Sequence, residues 1–361
     1  MTESNFPRYF AASNSCKGFC NYYGDIFTDT RTDRLYIIKG GPGTGKSHFM
    51  KVVARHARGR GYCVTEYACS SDPASLDGIL LTREGSPTLG FLDGTAPHVR
   101  EPSLPGVKEE IINLGEFWNS RLLAGQSETI RRLTAGKSAA YDRAYAYLSA
   151  CGGADRAADS LMGGCIRHDR ITALADRILR RQPKGREFAP TPALRRALGM
   201  TGRVCLHTLE REAAARGGTV LVPEDYYGLA YRLTAALFAH SRAACHSLLV
   251  SYDPVYPHKI DGLYYPDSGL CVLVGQAEPP EGTAVRTLSL RRYADSEALR
   301  SVRGELRRAI SLRDSLTESA LHELEGAAKY HFELESIYAA AMDFERKEAF
   351  TEAFCGEVFG G

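Results

Sequence analysis

The sequence has no excess of charge of either sign: 45 lysines and arginines stand against 43 acids, for a formal net charge of +2. That balance excludes a global field that would draw in nucleic acid or anionic membrane, and no nucleic-acid partner is expected. Also missing is any run of the roughly 18 to 20 apolar residues that cross a bilayer. The start, MTESNFPRYF, carries no apolar stretch behind a positive flank. A soluble, cytoplasmic protein with no membrane partner is therefore expected. Ten cysteines include no Cys-x-x-Cys pair. Cys63, Cys205, Cys245 and Cys271 lie in apolar stretches, as small core residues of a reducing compartment do. A zinc site from Cys16, Cys20, Cys63 and Cys69 would have atypical spacing, so buried or idle thiols are the preferred reading.

What is present begins with Leu35-Tyr36-Ile37-Ile38, a short apolar run that enters the glycine-rich segment Gly40-Gly41-Pro42-Gly43-Thr44-Gly45-Lys46-Ser47. From Ser47 to Arg58 the apolar residues Phe49, Val52 and Val53 recur at helical spacing. This is strand, loop and helix around the pattern GxxxxGK[ST]. Glycines let the backbone wrap an anion closely, so that successive N–H groups and the positive end of the following helix face it. The expected ligand is a nucleoside triphosphate, ATP with Mg²⁺, held by Gly41, Pro42, Gly43, Thr44, Gly45, Lys46, Ser47 and His48. Lys46 supplies charge for the β- and γ-phosphates and Ser47 a hydroxyl for the metal.

A second carboxylate in such a site ends a neighbouring apolar strand. Thr88-Leu89-Gly90-Phe91-Leu92-Asp93 has that form, making Asp93 the expected partner of Ser47 at Mg²⁺; the competing reading is a turn at Asp93-Gly94. Gly94 stands where many P-loop ATPases carry a glutamate. Asp72, Asp77 and His98 are the candidates for orienting water. Each has a plainer role open to it: a turn residue before Pro73, a turn residue before Gly78, and a surface histidine. No guanine-reading NKxD element and no separate dinucleotide fingerprint occur, which leaves adenine by elimination.

The order of features then repeats. Asp72-Pro73 and Leu76-Asp77-Gly78 are matched by Asp253-Pro254 and Ile260-Asp261-Gly262. Ser268 to Val274 takes the place of Thr88 to Asp93, Leu288-Ser289-Leu290 that of Ile112-Asn113-Leu114, and charged helical stretches close both halves. A tandem duplication follows. The second copy offers Pro223-Glu224-Asp225-Tyr226-Tyr227-Gly228 at the loop position, with no lysine and two carboxylates that repel phosphate, and Val274 in place of Asp93.

The expected fold is α/β, a P-loop NTPase-type three-layer α/β/α core, duplicated, with helical appendages. Its expected divisions are a core over 1–118, a helical appendage over 119–181, a linker over 182–192, a degenerate core over 193–295 and a second appendage over 296–361. Within the appendages, helices are read over 117–150 and 155–181. In the last segment Leu299, Val302, Leu306, Ala309, Leu316, Ala320, Leu324 and Ala327 form an apolar stripe. A helical hairpin accounts for it, and partner binding or self-association is the alternative.

The segments Leu35 to Lys39, Cys69-Ser70-Ser71-Asp72, Leu76-Asp77-Gly78, Leu92-Asp93-Gly94-Thr95-Ala96-Pro97-His98 and Glu109 to Gly115 resemble a bacterial family of tandem P-loop ATPases. The resemblance implies fold and ATPase character. Members often carry a phosphate loop in both halves, from which the segment 223–228 departs. The expectation is Mg-dependent ATP hydrolysis at one site with a conformational or regulatory role. A small-molecule kinase and a nucleotide-gated interaction module with little turnover are the alternatives.

Overall fold

The computed structural model describes residues 6–185 and 187–360; residues 1–5, Arg186 and Gly361 lie outside the described part. Two six-stranded mixed sheets carry the chain. The first comprises β1 (Arg8–Phe10), β4 (Arg34–Lys39), β5 (Cys63–Ala68), β6 (Leu76–Thr82), β7 (Leu89–Asp93) and β8 (Glu109–Asn113), in the order β1-β5-β6-β7-β4-β8. The second comprises β9 (Ala189–Pro192), β12 (Thr219–Glu224), β13 (Ser247–Tyr252), β14 (Ile260–Tyr265), β15 (Leu270–Leu273) and β16 (Ala284–Ser289), in the order β9-β13-β14-β15-β12-β16.

Element for element the two orders coincide, and so do the strand directions. β6 and β14 each run antiparallel to both neighbours, and the remaining pairings are parallel. The duplication extends to short polar hairpins, β2 (Ala12–Ser15) with β3 (Gly18–Asn21) and β10 (Arg196–Gly199) with β11 (Gly202–Cys205). Register fixes the equivalences at the strand ends. Gly78 pairs with Leu92 and Gly262 with Leu273, so the next residues, Asp93 and Val274, correspond.

In β4 the apolar run serves both faces of its sheet, which is why it is unbroken. Tyr36 and Ile38 face α2 (Lys46–Gly59), together with Phe49, Val53 and Phe91. Leu35 and Ile37 face the other half, where Tyr9, Phe27 and Leu92 meet Leu209, Val220, Tyr264 and Leu273 in a shared core. The sheets thus bury one face against each other's half and one against helices.

Two long helices, α4 (Ser127–Gly163) and α8 (Ser296–Ala340), pack along each other. Gly136 meets Tyr330, Arg143 pairs with Glu323 at 2.8 Å, and Arg313 lies 3.6 Å from Asp155, so they run antiparallel. Each therefore delivers its C-terminal end to the opposite half. α5 (His168–Leu179), which follows α4, packs on α7 (Leu229–Ala243) of the second half. α9 (Phe344–Phe359), which follows α8, packs on α2 of the first. The two halves exchange their closing helices.

Several expectations change here. The stripe from Leu299 to Ala327 is covered within the chain, but by α4 rather than by a hairpin inside its own appendage. α4 continues through Gly152, which abuts Cys16, instead of breaking near residue 150. The segment 182–192 ends in β9, the edge strand of the second sheet. Cys63 and Cys245 are exposed and Cys205 is half-buried, whereas Cys271 is buried. Cys63 is the exposed first residue of β5 and Cys245 lies in the turn two residues before β13, where neighbouring apolar sequence says little about burial. Among the described residues Cys16, Cys20, Cys63 and Cys69 do not gather into a metal-ligating group. No described helix is long and apolar enough to cross a membrane.

Candidate functional site

The glycine loop leaves β4 and turns into α2. Gly43 and Gly45 have φ of +70° and +80°, a left-handed backbone that side chains with a Cβ rarely adopt, and Gly45 is the N-cap of α2. No side chain caps that end, and the first turn of α2 contains no acid. Thr44 is buried and its hydroxyl donates to the Gly41 carbonyl at 2.9 Å. Lys46 folds its ammonium back onto the Gly40 and Gly41 carbonyls at 3.0 and 2.9 Å. It also lies 3.6 Å from Asp93 Oδ2.

β7 runs beside β4 with Asp93 in register with Ile38, which places the carboxylate at the mouth of the loop. Its Oδ1 accepts from the Thr95 N–H and hydroxyl at 2.9 and 2.5 Å. Oδ2 is the oxygen turned to Lys46. Turn-maker and loop partner are thus both roles of Asp93, one for each oxygen. The Ser47 hydroxyl accepts from the Leu76 N–H at 3.0 Å, tying the loop to the start of β6. His48 turns aside to meet Lys347 Nζ at 3.0 Å.

The three candidates for water orientation separate. Asp72 holds its own turn, accepting from the Ala74 N–H at 3.1 Å and the Ser75 hydroxyl at 2.6 Å. Asp77 is buried on β6; it accepts from the Tyr23 hydroxyl at 3.0 Å, and His98 Nε2 stands 3.5 Å away. Burial pushes the Asp77 carboxyl up, against the opposing pull of His98. The His98 side chain is only 8% exposed, edge-on to Phe19 and Tyr23, with a buried Nδ1 that has no partner. It is not a surface histidine.

A roof over the loop had no counterpart in the sequence reading. A Cβ on Gly43 would clash with the Glu335 carbonyl, and one on Gly41 would come within 3.1 Å of Tyr338 and 3.5 Å of Trp118. Lys347 of α9 reaches Gly45. The sequence does contain one signal for it. Lys347 falls on the buried stripe with Thr351, Phe354 and Cys355, a place where lysine is rare.

The counterpart loop in the second half is built differently. Gly228 (φ +87°) caps α7 as Gly45 caps α2, but only four residues, Asp225 to Gly228, separate β12 from α7. Asp225 accepts from the Gly228 and Ala230 N–H groups at 3.2 and 3.1 Å. The chain's own carboxylate thereby fills the anion position. A cavity of about 720 Å³ lies beside it, lined by Asp155, Arg196, Asp225, Tyr231, Asp253 and Lys259 among others. Its charges are matched internally. Lys259 lies 2.7 Å from Asp155 and 3.2 Å from Asp159, and Arg196 lies 3.3 Å from Asp253. Asp155, Asp159 and His258 converge there, with the Lys259 ammonium already against the two carboxylates.

No family model matches the chain, no curated protein matches it and no solved structure matches it, so the likeness to tandem P-loop ATPases rests on the motif residues themselves.

Proposed function

We propose that the first half binds a nucleoside triphosphate with Mg²⁺, ATP by elimination, at residues 40–48 and hydrolyses it, and that the second half binds none. One observation carries this reading: an uncapped helix start, wrapped by left-handed glycines, faces a lysine that lies 3.6 Å from a strand-end carboxylate. Free N–H groups and the α2 dipole stabilise phosphate charge. Lys46, held by the loop carbonyls, is within a side-chain rotation of a bound β- or γ-phosphate. Ser47 and Asp93 are hard oxygen donors that fit Mg²⁺, and the metal would supply neutralisation of charge on the transferring phosphoryl group. This core belongs to the P-loop NTPase type on the same grounds.

The Asp77–His98 pair is the better candidate for orienting water, because the oxygens of Asp72 are engaged in its turn. A regulatory or conformational role is supported by the roof, since Glu335, Tyr338 and Lys347 belong to helices that follow the second half in sequence.

The test compares wild type with Lys46→Ala. MgATP binding by calorimetry should weaken by about a hundredfold or more, the equivalent of two charge-assisted bonds at about 1.5–3 kcal/mol each, and phosphate release should stop. Equal affinity and turnover in the two proteins would refute the site. Phosphate appearing only on an added acceptor would make the protein a kinase.

A further inference from the structure

Three lysine or arginine residues are buried among the described residues: Arg195, Lys259 and Lys347. Two are neutralised. Arg195 lies 3.7 Å from both Glu210 and Asp261, and Lys259 sits on Asp155 and Asp159. Lys347, only 1% exposed, has no carboxylate within 4.0 Å among the described residues; its one polar partner is the imidazole nitrogen Nδ1 of His48 at 3.0 Å. Removing an ammonium from water without a counter-ion is strongly disfavoured. Burial pushes the Lys347 amine down from its ordinary range, and an anion bound beside it would restore the ammonium.

Position supports that reading. Lys347 Nζ would stand 3.5 Å from a Cβ on Gly45, beside the uncapped start of α2. The duplicated half supplies a comparison. Asp343 N donates to the Phe117 carbonyl and Arg167 N to the Tyr293 carbonyl, so α9 and α5 begin at equivalent points. Four residues on, Lys347 corresponds to Ile171, which is buried in the apolar cluster of the second half. The cation occurs on the helix that covers the glycine loop. An apolar residue occurs on the helix that packs on α7, whose start is already met by Asp225.

We propose that Lys347 is a second nucleotide-binding lysine, carried across the molecule by α8, whose ammonium takes a phosphate oxygen of the nucleotide bound at the glycine loop. The inference rests on the nucleotide-binding reading above. It makes the site a product of both ends of the chain: the loop and Lys46 come from the first half, and a charge that closes over them comes from the tail.

The experiment measures MgATP affinity and thermal midpoint for wild type, Lys46→Ala and Lys347→Met. Lys347→Met keeps the length of the side chain and removes the buried charge. Its midpoint without nucleotide should hold or rise, while affinity falls by about tenfold or more, the effect of one lost charge-assisted bond. A purely structural lysine would do the reverse, lowering the midpoint and leaving affinity within about twofold, and that result overturns the proposal. Wild type that fails to bind MgATP takes down the nucleotide reading and this inference together. Binding that is lost in Lys46→Ala and retained in Lys347→Met takes down only the latter. Hydrogen exchange on wild type needs no variant: amides of residues 344–351 should slow on adding MgATP, and unchanged exchange at saturation also overturns the assignment.

Discussion

Replacing Phe354, close to the C-terminus, with alanine should loosen the N-terminal half of the molecule. The residue is 8% exposed and its side chain closes the core over α2 and β4. The ring lies 5.2 Å from Tyr36, 5.5 Å from Phe49 and 6.1 Å from Phe91, all residues of the first half. Truncating a buried phenylalanine costs about 3–5 kcal/mol, from lost transfer energy and the cavity left behind. Tyr36 and Phe91 meet the ring edge-on, and such pairs contribute about 0.5–1.5 kcal/mol each within that total. Urea unfolding followed by segment-resolved hydrogen exchange separates the two halves. Amides of α2 and β4 should lose protection corresponding to most of the 3–5 kcal/mol, and those of α7 and β12 should change little. Ile171→Ala, on the exchanged helix α5, should give the mirror pattern. Loss of protection confined to the second half in Phe354→Ala, or a cost below about 1 kcal/mol against the expectation for a buried ring, would refute the exchange of closing helices.

Gly43→Ala should both strain the loop, by about 1–2 kcal/mol for a left-handed residue with a Cβ, and drive its new methyl into the Glu335 carbonyl; a lower midpoint with faster exchange over residues 335–341 is expected, and unchanged exchange there would sink the roof. Glu109 should contribute stability that disappears in acid. Burial alone would raise its carboxyl, but hydrogen bonds from the Leu104 and Ser103 backbone, the Ser103 hydroxyl and Arg100 outweigh burial and bring it down to about 2. Because the folded value lies below the unfolded one of about 4.3, the contribution is complete above about pH 4.3 and fades as pH falls through about 2. Glu109→Gln should be less stable at neutral pH and lose less between those values, and a parallel acid limb would refute it.

The α/β layout and its duplication could be read from the sequence because β4, β7 and their counterparts are largely apolar runs bounded by turn residues, β5 has strand composition, and Asp-Pro and Asp-Gly recur in order. The hairpins β2–β3 and β10–β11 could not. Ala12–Ser15 and Gly18–Asn21 are short and polar, with no periodic pattern to set against a loop. β9 was hidden by Pro190 and Pro192, which read as a linker; only an edge strand tolerates two prolines, and β9 has a single neighbour, β13. The exchange of helices lies beyond periodicity altogether. An apolar stripe on α8 says that one face is buried, and the antiparallel pairing with α4 that chooses the opposite half is a fact of tertiary packing. At the candidate site, the placement of the glycine segment between β4 and α2, and of Asp93 at the end of a neighbouring strand, could be read from spacing. Lys347 and the Glu335–Tyr338 roof could not: a lysine on an apolar stripe signals a buried cation, but nothing local to residue 347 records that α2 lies under it.

The two loops differ in how their charge is satisfied, and that difference is the physical ground for proposing one nucleotide site rather than two. An α-helix presents unpaired N–H groups and a partial positive charge at its start, so it must be met by an anion, a cap or water. In the second half Asp225 meets the start of α7 from within the chain, and Lys259 and Arg196 beside it are matched by Asp155, Asp159, Asp253 and Asp261. In the first half the start of α2 has no side-chain cap, Lys347 has no acid, and Lys46 shares one carboxylate at 3.6 Å with two backbone carbonyls. Positive groups there outnumber the negative groups that face them, an arrangement stabilised when an anion binds. The neutralised half nevertheless remains necessary to the other. Its following helix α8 roofs the glycine loop, and α9 carries both Phe354 into the first core and Lys347 to the loop. Deleting the second half would therefore remove part of the first half's core as well as one wall of its site.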